Sequence, residues 1–132
     1  DGLTNPHESG MPWAVHRKKD FFVGQRSLEI LEKKRSRRMH GFVIKASDSA
    51  QRPKECHLVI HKGEIAGRVT SVSMSPTLGH VIGLAYVDDG ALEHSSQIDI
   101  RVDGGALVSA EITPTPFYDP DGARQSGQEA AA

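Results

Sequence analysis

The 132-residue sequence has little of several features that would assign it to a common functional class. Its single cysteine, Cys56, excludes an intrachain disulfide and leaves any zinc site dependent on other ligand types. Its net charge of −1 lacks the positive excess that is typical of proteins that coat nucleic acid. No apolar run approaches the ~20 residues of a membrane helix, and no signal-peptide pattern opens the chain. We therefore expect no nucleic-acid partner and no membrane partner.

The composition that is present predicts one domain of ordinary size. Apolar residues make up 37% of the sequence and charged residues 25%, which suits a modest core and argues against wholesale disorder. The chain opens on Asp1 rather than methionine and closes on a run of three alanines. We expect from these ends that the sequence is a fragment of something larger.

Hydrophobic periodicity predicts one helix followed by a β-rich region. Residues 24–35 form an amphipathic pattern, with Leu28 and Leu31 on one face and Glu29 and Glu32 on another. A short strand is expected before it, at Trp13–Val15. The later segments are strand-like and separated by turn signals at residues 62–63 and 103–105. The six predicted strands, which together favour a small barrel or sandwich, are Met39–Ala46, His57–His61, Glu64–Val72, His80–Val87, Gln97–Val102 and Leu107–Thr113.

The residues that could carry chemistry give no catalytic pattern by spacing alone. His57 and His61 would lie ~13 Å apart on a strand, too far to share a metal, so no metal site is predicted. Cys56 has no neighbouring base in the sequence and is expected to be a buried, inert thiol. Neither a glycine-rich phosphate loop nor a Gly-x-Ser-x-Gly elbow occurs in the sequence.

Three polar segments leave alternatives open. The basic run Lys33–Arg38 is either a solvated helix end, which we favour, or a site for an anion such as a phosphate, a nucleic acid or a carboxylate tail. Glu8 is either an exposed turn residue or an acceptor for two parallel N–H groups of a heterocycle. The hydroxyl-rich segment at residues 70–79 either satisfies backbone groups at a strand corner or contacts a ligand.

Several motifs, taken in order, resemble the C-terminal part of the glycine-cleavage T-protein (aminomethyltransferase) family. The ending at residues 117–124 is more similar to the folate-dependent domains of sarcosine and dimethylglycine dehydrogenases or oxidases. Val72 and Ser9 depart from the family pattern, which has glycine and alanine there. The motifs that carry the resemblance are Asn5–Trp13, Asp20–Leu28, Gly67–Gly79, Ile82–Val87 and Pro116–Tyr118.

The resemblance implies a mainly β fold, a six-stranded Greek-key or jelly-roll-like barrel preceded by a helix-containing tail. The tail of the folate-binding domain would cover residues 1–36, the barrel 37–119 and a flexible end 120–132. The intact enzyme would transfer a one-carbon unit from an aminomethyl or N-methyl donor to tetrahydrofolate. It would work in glycine cleavage or in sarcosine or dimethylglycine catabolism. The alternative is a stand-alone β-barrel binding module, and a weaker one is nucleic-acid binding through Lys33–Arg38.

The resemblance also implies site residues. Glu8 would bind the pterin edge, and Arg37, with Arg38 as the neighbouring alternative, would meet the folate tail. Tyr118 and Arg124 would also lie at the cofactor, and the loop at residues 75–77 would border the pocket. The catalytic aspartate of the family lies upstream of this sequence, so the chain alone is expected to be inactive.

The partners and the compartment follow from the same resemblance. The expected partners are a missing N-terminal folate-binding domain and either a lipoyl carrier protein or a dehydrogenase domain. The resemblance allows FAD in the parent protein but not in this chain. The expected location is the bacterial cytoplasm or the mitochondrial matrix.

Overall fold

The computed structural model describes residues 4–34, 36–45, 52–93 and 95–126. One helix, α1 (Gln25–Lys33), precedes all of the strands, and no helix in the described ranges is long and apolar enough to span a membrane. Short 3₁₀ turns lie at Pro12–Ala14, Asp89–Ala91 and Asp103–Gly105. The strands are β1 (Arg37–Ile44), β2 (Leu58–His61), β3 (Glu64–Ser75), β4 (His80–Asp88), β5 (Gln97–Arg101) and β6 (Leu107–Thr113).

The six strands close into one antiparallel barrel in the order β1-β4-β3-β2-β5-β6, with β6 pairing back onto β1. The mainly β prediction and the six-stranded barrel are therefore confirmed. Strand β3 runs three residues beyond its predicted end at Val72, and β1 starts two residues before Met39. The predicted end of β1 at Ala46 lies outside the described residues.

Alternating apolar side chains fill the barrel. Phe42 and Ile44 of β1 point inward with the alternate residues of the neighbouring strands, as strand geometry requires. Gly83 of β4 faces the Phe42 ring, because a Cβ at this glycine would come within 2.3 Å of a ring carbon. The largest fully buried side chains are Phe42, Ile44, Val59, Val69, Val81, Val87 and Ile100.

Both predicted glycine turns are present. Lys62 and Gly63 join β2 to β3 with φ of 51° and 85°, the paired positive values of a tight hairpin. Gly104 and Gly105 between β5 and β6 have φ of 81° and 84°. Glycine tolerates this backbone region because it has no Cβ.

Two local predictions are wrong. Trp13–Val15 forms no strand, because Pro12 fixes φ at the start of a 3₁₀ turn that covers most of this segment. Cys56 is exposed rather than buried, because it lies in the turn before β2 with φ of 69°.

Helix α1 forms nearly where it is predicted but packs differently. Gly24 precedes it with φ of 91°, and none of its residues is buried. Leu28 is half-buried beside Glu29 and Glu32, around a cavity of about 170 Å³, whereas Leu31 is exposed. The apolar pair Leu28 and Leu31 therefore does not form the packed face of the helix in this chain.

Candidate functional site

The site begins with the Asn5–Gly10 segment, which Asn5 shapes from within. The buried Asn5 side chain accepts hydrogen bonds through Oδ1 from the backbone N–H groups of His7 (3.0 Å) and Glu8 (3.1 Å). The backbone carbonyl oxygen of Asn5 accepts two more, from the N–H and the hydroxyl of Ser9. An asparagine side chain that binds backbone groups two and three residues ahead builds a fixed turn. The Glu8 side chain therefore leaves a rigid loop.

Strand β1 holds this segment against the barrel. The Met39 N–H donates to the Glu8 carbonyl at 2.8 Å. Two residues before Met39 on β1, Arg37 Nη2 lies 3.5 Å from Glu8 Oε2. The same carboxylate oxygen lies 3.5 Å from the backbone nitrogen of Asn5. The Glu8 side chain is 13% exposed and the Arg37 side chain 33% exposed. The Glu8 carboxylate is thus mostly buried, whereas the Arg37 side chain remains partly accessible to solvent.

The ring of Tyr86 lies against the Arg37 guanidinium. The Arg37 Cζ lies 5.1 Å from the centre of the Tyr86 ring, within the range of a cation–π contact. Tyr86 is buried on β4, directly opposite Met39 in the strand register. A groove of about 360 Å³ runs past the ring, between Met39 and Arg68. Glu8, Tyr86 and the strand backbone together fix the direction of Arg37.

Arg38 points toward Asp89, whereas Arg37 points toward Glu8. Successive residues of a strand face opposite sides, and Arg38 Nε pairs with Asp89 Oδ1 at 2.9 Å. Next along the same face, burial lowers the pKa of His40, with Arg38 adding to the lowering and Asp89 opposing it. The buried His40 Nε2 has no hydrogen-bond partner within the described part of the chain. The structure therefore brings Arg37, and not Arg38, to Glu8.

Tyr118 and Arg124 form a second pair. The Arg124 guanidinium lies 5.2 Å from the centre of the Tyr118 ring. Asp119 fixes the turn between them by accepting from the N–H groups of Ala123 (2.9 Å) and Arg124 (3.1 Å). The preceding Phe117 packs over Gly41 of β1 and shares a cavity of about 260 Å³ with Ser9 and Gly10. The second pair thus follows Phe117, which lines one cavity together with two residues of the Asn5–Gly10 loop.

The loop at residues 75–77 lies at the other end of the barrel. It joins β3 to β4 beside His80, whereas Arg37 pairs with Asp88. Those two positions on β4 are eight residue steps apart, a distance of ~26 Å. Within this chain the hydroxyl-rich loop is therefore not brought to Glu8 and Arg37.

One hydroxyl of the 70–79 segment does satisfy the backbone, as one of the sequence alternatives predicts. The register of β3 and β4 shifts between Val69 and Ser71, which leaves Thr70 at a bulge. Its hydroxyl donates to the Leu84 carbonyl at 3.0 Å. Ser75 also accepts from the Leu78 N–H at the loop itself.

Sequence reasoning missed two sets of residues. Asn5 lies three residues before Glu8, and its Asn-x-x-Glu spacing gave a local signal. Tyr86 supports Arg37 from a distant position in the sequence, which gave none. Lys54 and His57 both reach Asp103 across the barrel end, with His57 Nε2 at 3.2 Å from Asp103 Oδ1. Hydrogen bonds from Lys54 and then His57 lower the pKa of Asp103. No group of three or more metal-ligating side chains occurs among the residues that the structure describes.

Comparisons with known proteins identify the family and the fold of this chain. The family model described as glycine cleavage T-protein C-terminal barrel domain matches residues 37–119. An aminomethyltransferase from Rubrobacter xylanophilus is 40% identical over 129 residues, which cover 92% of this chain and 33% of that protein. A sarcosine oxidase subunit alpha from a Corynebacterium species is 32% identical over 135 residues, or 96% of this chain and 14% of that subunit. The chain thus spans a third or less of these relatives.

A solved structure supports the fold alone. The crystal structure of glycine cleavage system aminomethyltransferase T from Bartonella henselae has a TM-score of 0.72 at 21% sequence identity. The match covers 89% of this chain and 33% of that protein. The barrel and the segments before it therefore adopt an arrangement known from an experimental structure.

Proposed function

This chain belongs to the glycine cleavage T-protein family, and from that membership we propose that it is the C-terminal part of a tetrahydrofolate-dependent enzyme. The enzyme transfers a one-carbon unit from an aminomethyl or N-methyl donor to tetrahydrofolate. Similarity to both aminomethyltransferases and a sarcosine oxidase subunit supports either kind of donor. The coarser statement, that the chain is an aminomethyltransferase-like C-terminal domain, rests on the family match itself.

The observation that carries the proposal is the fixed guanidinium of Arg37. Tyr86 lies under it, Glu8 lies beside it, and one third of the side chain remains exposed. A guanidinium held in one direction offers parallel N–H donors that match a carboxylate. The glutamate tail of tetrahydrofolate carries such carboxylates. Arg37 is therefore the residue of this chain that we assign to the folate tail.

The same geometry supports a second role for Glu8, beside the pterin contact that the family resemblance implies. The pterin ring and the glutamate tail lie at opposite ends of folate, separated by the aminobenzoyl group. Because Glu8 and Arg37 lie 3.5 Å apart, we favour one shared role for the pair over contacts with the two opposite ends of one extended folate. Glu8 instead fits as the group that orients Arg37, with Asn5 fixing the loop that carries it. The pterin edge then needs an acceptor from another part of the protein.

The other residues keep supporting roles in the proposal. Tyr118 and Arg124 form a second guanidinium–ring pair that would meet a further anionic or aromatic part of folate. Arg38 is engaged with Asp89 and is the weaker choice for the tail. No residue of this chain is assigned to the chemical step, because the family resemblance places the catalytic aspartate upstream. The chain alone would bind part of folate without turnover.

The proposal extends to the surroundings of the enzyme. An N-terminal folate-binding domain would complete the site, and a lipoyl carrier protein or a dehydrogenase domain would supply the one-carbon donor. FAD would belong to the dehydrogenase part of the parent protein. The enzyme would act in the bacterial cytoplasm or the mitochondrial matrix.

Calorimetric titration of the chain with tetrahydrofolate tests the role of Arg37. We expect saturable binding that Arg37→Ala weakens by about tenfold, since a hydrogen bond to a charged group contributes about 1.5–3 kcal/mol. Arg101→Ala is the matched control, because Arg101 is exposed on β5. Equal losses in the two variants would show general charge attraction and would refute the assignment. Glu8→Gln should give an intermediate loss if Glu8 acts through Arg37.

A further inference from the structure

The segment before the barrel contains a cavity of about 170 Å³ that the proposed folate contacts do not use, since neither Glu8 nor Arg37 lines it. Helix α1 forms one side of this cavity with residues three and four positions apart, which share one face of a helix. A cavity of roughly 150 Å³ holds a benzene molecule, so this one has room for a ligand of about that size. The helix residues that line the cavity are Gln25, Leu28, Glu29 and Glu32.

His7 is the buried polar residue of this cavity. Its side chain is 4% exposed, and its Nδ1 lies 3.9 Å from Glu32 Oε1, which is too far for a hydrogen bond. Within the part of the chain that the structure describes, neither ring nitrogen of His7 has a hydrogen-bond partner. Buried polar groups in proteins nearly always have one. The imidazole therefore offers an unused acceptor or donor to a molecule in the cavity.

The charged residues of the cavity lie at its rim. The side chains of Arg17 and Glu32 are 62% and 40% exposed, and Arg17 Nη2 lies 2.7 Å from Glu32 Oε1. Glu29 is also exposed, and it forms no ion pair with any residue in the described ranges. Two carboxylates thus face one guanidinium, which is already paired. This excess of negative charge favours a cationic ligand over an anionic one.

The remaining lining is largely apolar, which restricts the kind of cation. Val15, Phe22 and Leu28 line the cavity, and each is partly buried. Apolar walls suit an organic ligand rather than a hydrated metal ion. The described residues also contain no group of three or more His, Cys, Asp or Glu side chains that could hold a metal ion. An ammonium group on a small apolar frame matches both the carboxylates and these walls.

We propose that this cavity binds a small organic ammonium ion. The Glu29 carboxylate accepts a charge-assisted hydrogen bond from the ammonium group. The neutral His7 ring accepts a second N–H of the same group. The apolar frame of the ligand packs on Val15, Phe22 and Leu28. The proposal goes beyond the folate assignment and does not depend on it.

Titration of the 132-residue chain with benzylamine, followed by NMR, tests the site. Benzylamine is an ammonium ion at neutral pH and carries one six-membered ring. We expect saturable binding, with the largest backbone amide shifts at residues 25–32. Benzyl alcohol has nearly the same shape without the charge, and it should bind about tenfold more weakly or worse. Equal affinities for the two ligands, or no saturable binding of benzylamine, would overturn the proposal.

Two variants locate the binding. Glu29→Gln should weaken benzylamine binding by about tenfold, because it removes the charge and keeps the shape of an exposed side chain. Glu64→Gln is the matched control, because Glu64 is exposed at the start of β3. Leu28→Phe should abolish saturable binding by filling the cavity, with its Tm measured to show that the chain is folded. Equal losses in the two glutamate variants, or unchanged binding in a folded Leu28→Phe chain, would refute the site.

The same titrations separate this site from the folate contacts. Glu29→Gln should leave tetrahydrofolate binding unchanged, and Arg37→Ala should leave benzylamine binding unchanged. Loss of one activity without the other refutes only the assignment concerned. Competition between benzylamine and tetrahydrofolate for one site would overturn the proposal of a separate ammonium site.

Discussion

Gly67 shows how one residue of the family-like motifs serves the fold around the site. A Cβ at this position would lie 2.0 Å from the Tyr86 carbonyl oxygen and 3.1 Å from the Val87 Cα. These are backbone atoms of the neighbouring strand, which cannot move aside as a side-chain end can. The absence of a side chain therefore lets β3 approach β4 directly behind the ring that supports Arg37.

We predict that Gly67→Ala lowers the free energy of unfolding by about 2 kcal/mol or more, because a methyl group forced against strand backbone overpacks the barrel. Gly90→Ala is the control, since a Cβ there meets nothing within 4 Å. Urea denaturation of both variants measures the effect. Equal stabilities of the two variants would contradict the close approach of the strands.

The sequence identified Glu8 and Arg37 separately but not their contact. They lie 29 residues apart, and the basic run that includes Arg37 resembles the end of a helix. The structure places Arg37 and Arg38 on β1 instead, where alternation sends one to Glu8 and the other to Asp89. Only the strand assignment decides which arginine reaches the site. The helical pattern of the residues before Arg37 hid the start of β1, so the sequence did not show which arginine faces Glu8.

Strands were predictable at the level of elements, because each carries an alternating pattern and ends at a turn residue. β6 has the predicted bounds, and the Lys62–Gly63 turn follows directly from its glycine. The loops were less predictable, because their structure depends on contacts between distant parts of the chain. The exposed turn at Cys56 is one example. The link from Lys54 and His57 to Asp103 is another.

That link joins the segment before β2 to the turn between β5 and β6, and it gives a pH prediction. Hydrogen bonds from Lys54 and His57 hold the pKa of Asp103 below its ordinary value. Because the folded-state pKa is the lower one, the link stabilises the fold above the unfolded-state pKa of about 3.8. The stabilisation is lost as the pH falls through the folded-state pKa.

We expect Asp103→Asn to lower the Tm slightly at neutral pH and to match the wild type in acid. The effect is small because the Asp103 carboxylate is exposed and screened by solvent. Thermal melts between pH 2 and pH 7 measure the difference, and Asp99→Asn, exposed on β5, is the control. A Tm difference for Asp103→Asn that stays constant across this range would contradict the link.

The molecule as a whole is a closed barrel with a helical segment that turns apolar side chains outward. Its composition predicted one modest core, and the barrel confirms it. Composition could not predict the outward apolar surface, because periodicity shows which residues share a face and not what covers that face. The family match explains the barrel, and this chain spans 33% of the length of the aminomethyltransferase relative.

The central claim is that Arg37, held by Glu8 and Tyr86, receives the anionic tail of tetrahydrofolate. The most direct test compares tetrahydrofolate with a tetrahydropterin that lacks the aminobenzoylglutamate tail, by calorimetric titration of the wild-type chain. We predict that tetrahydrofolate binds about tenfold more tightly or better, and that raised salt reduces this advantage because the contact is ionic. Equal affinities for the two ligands, or no binding of either, would contradict the account.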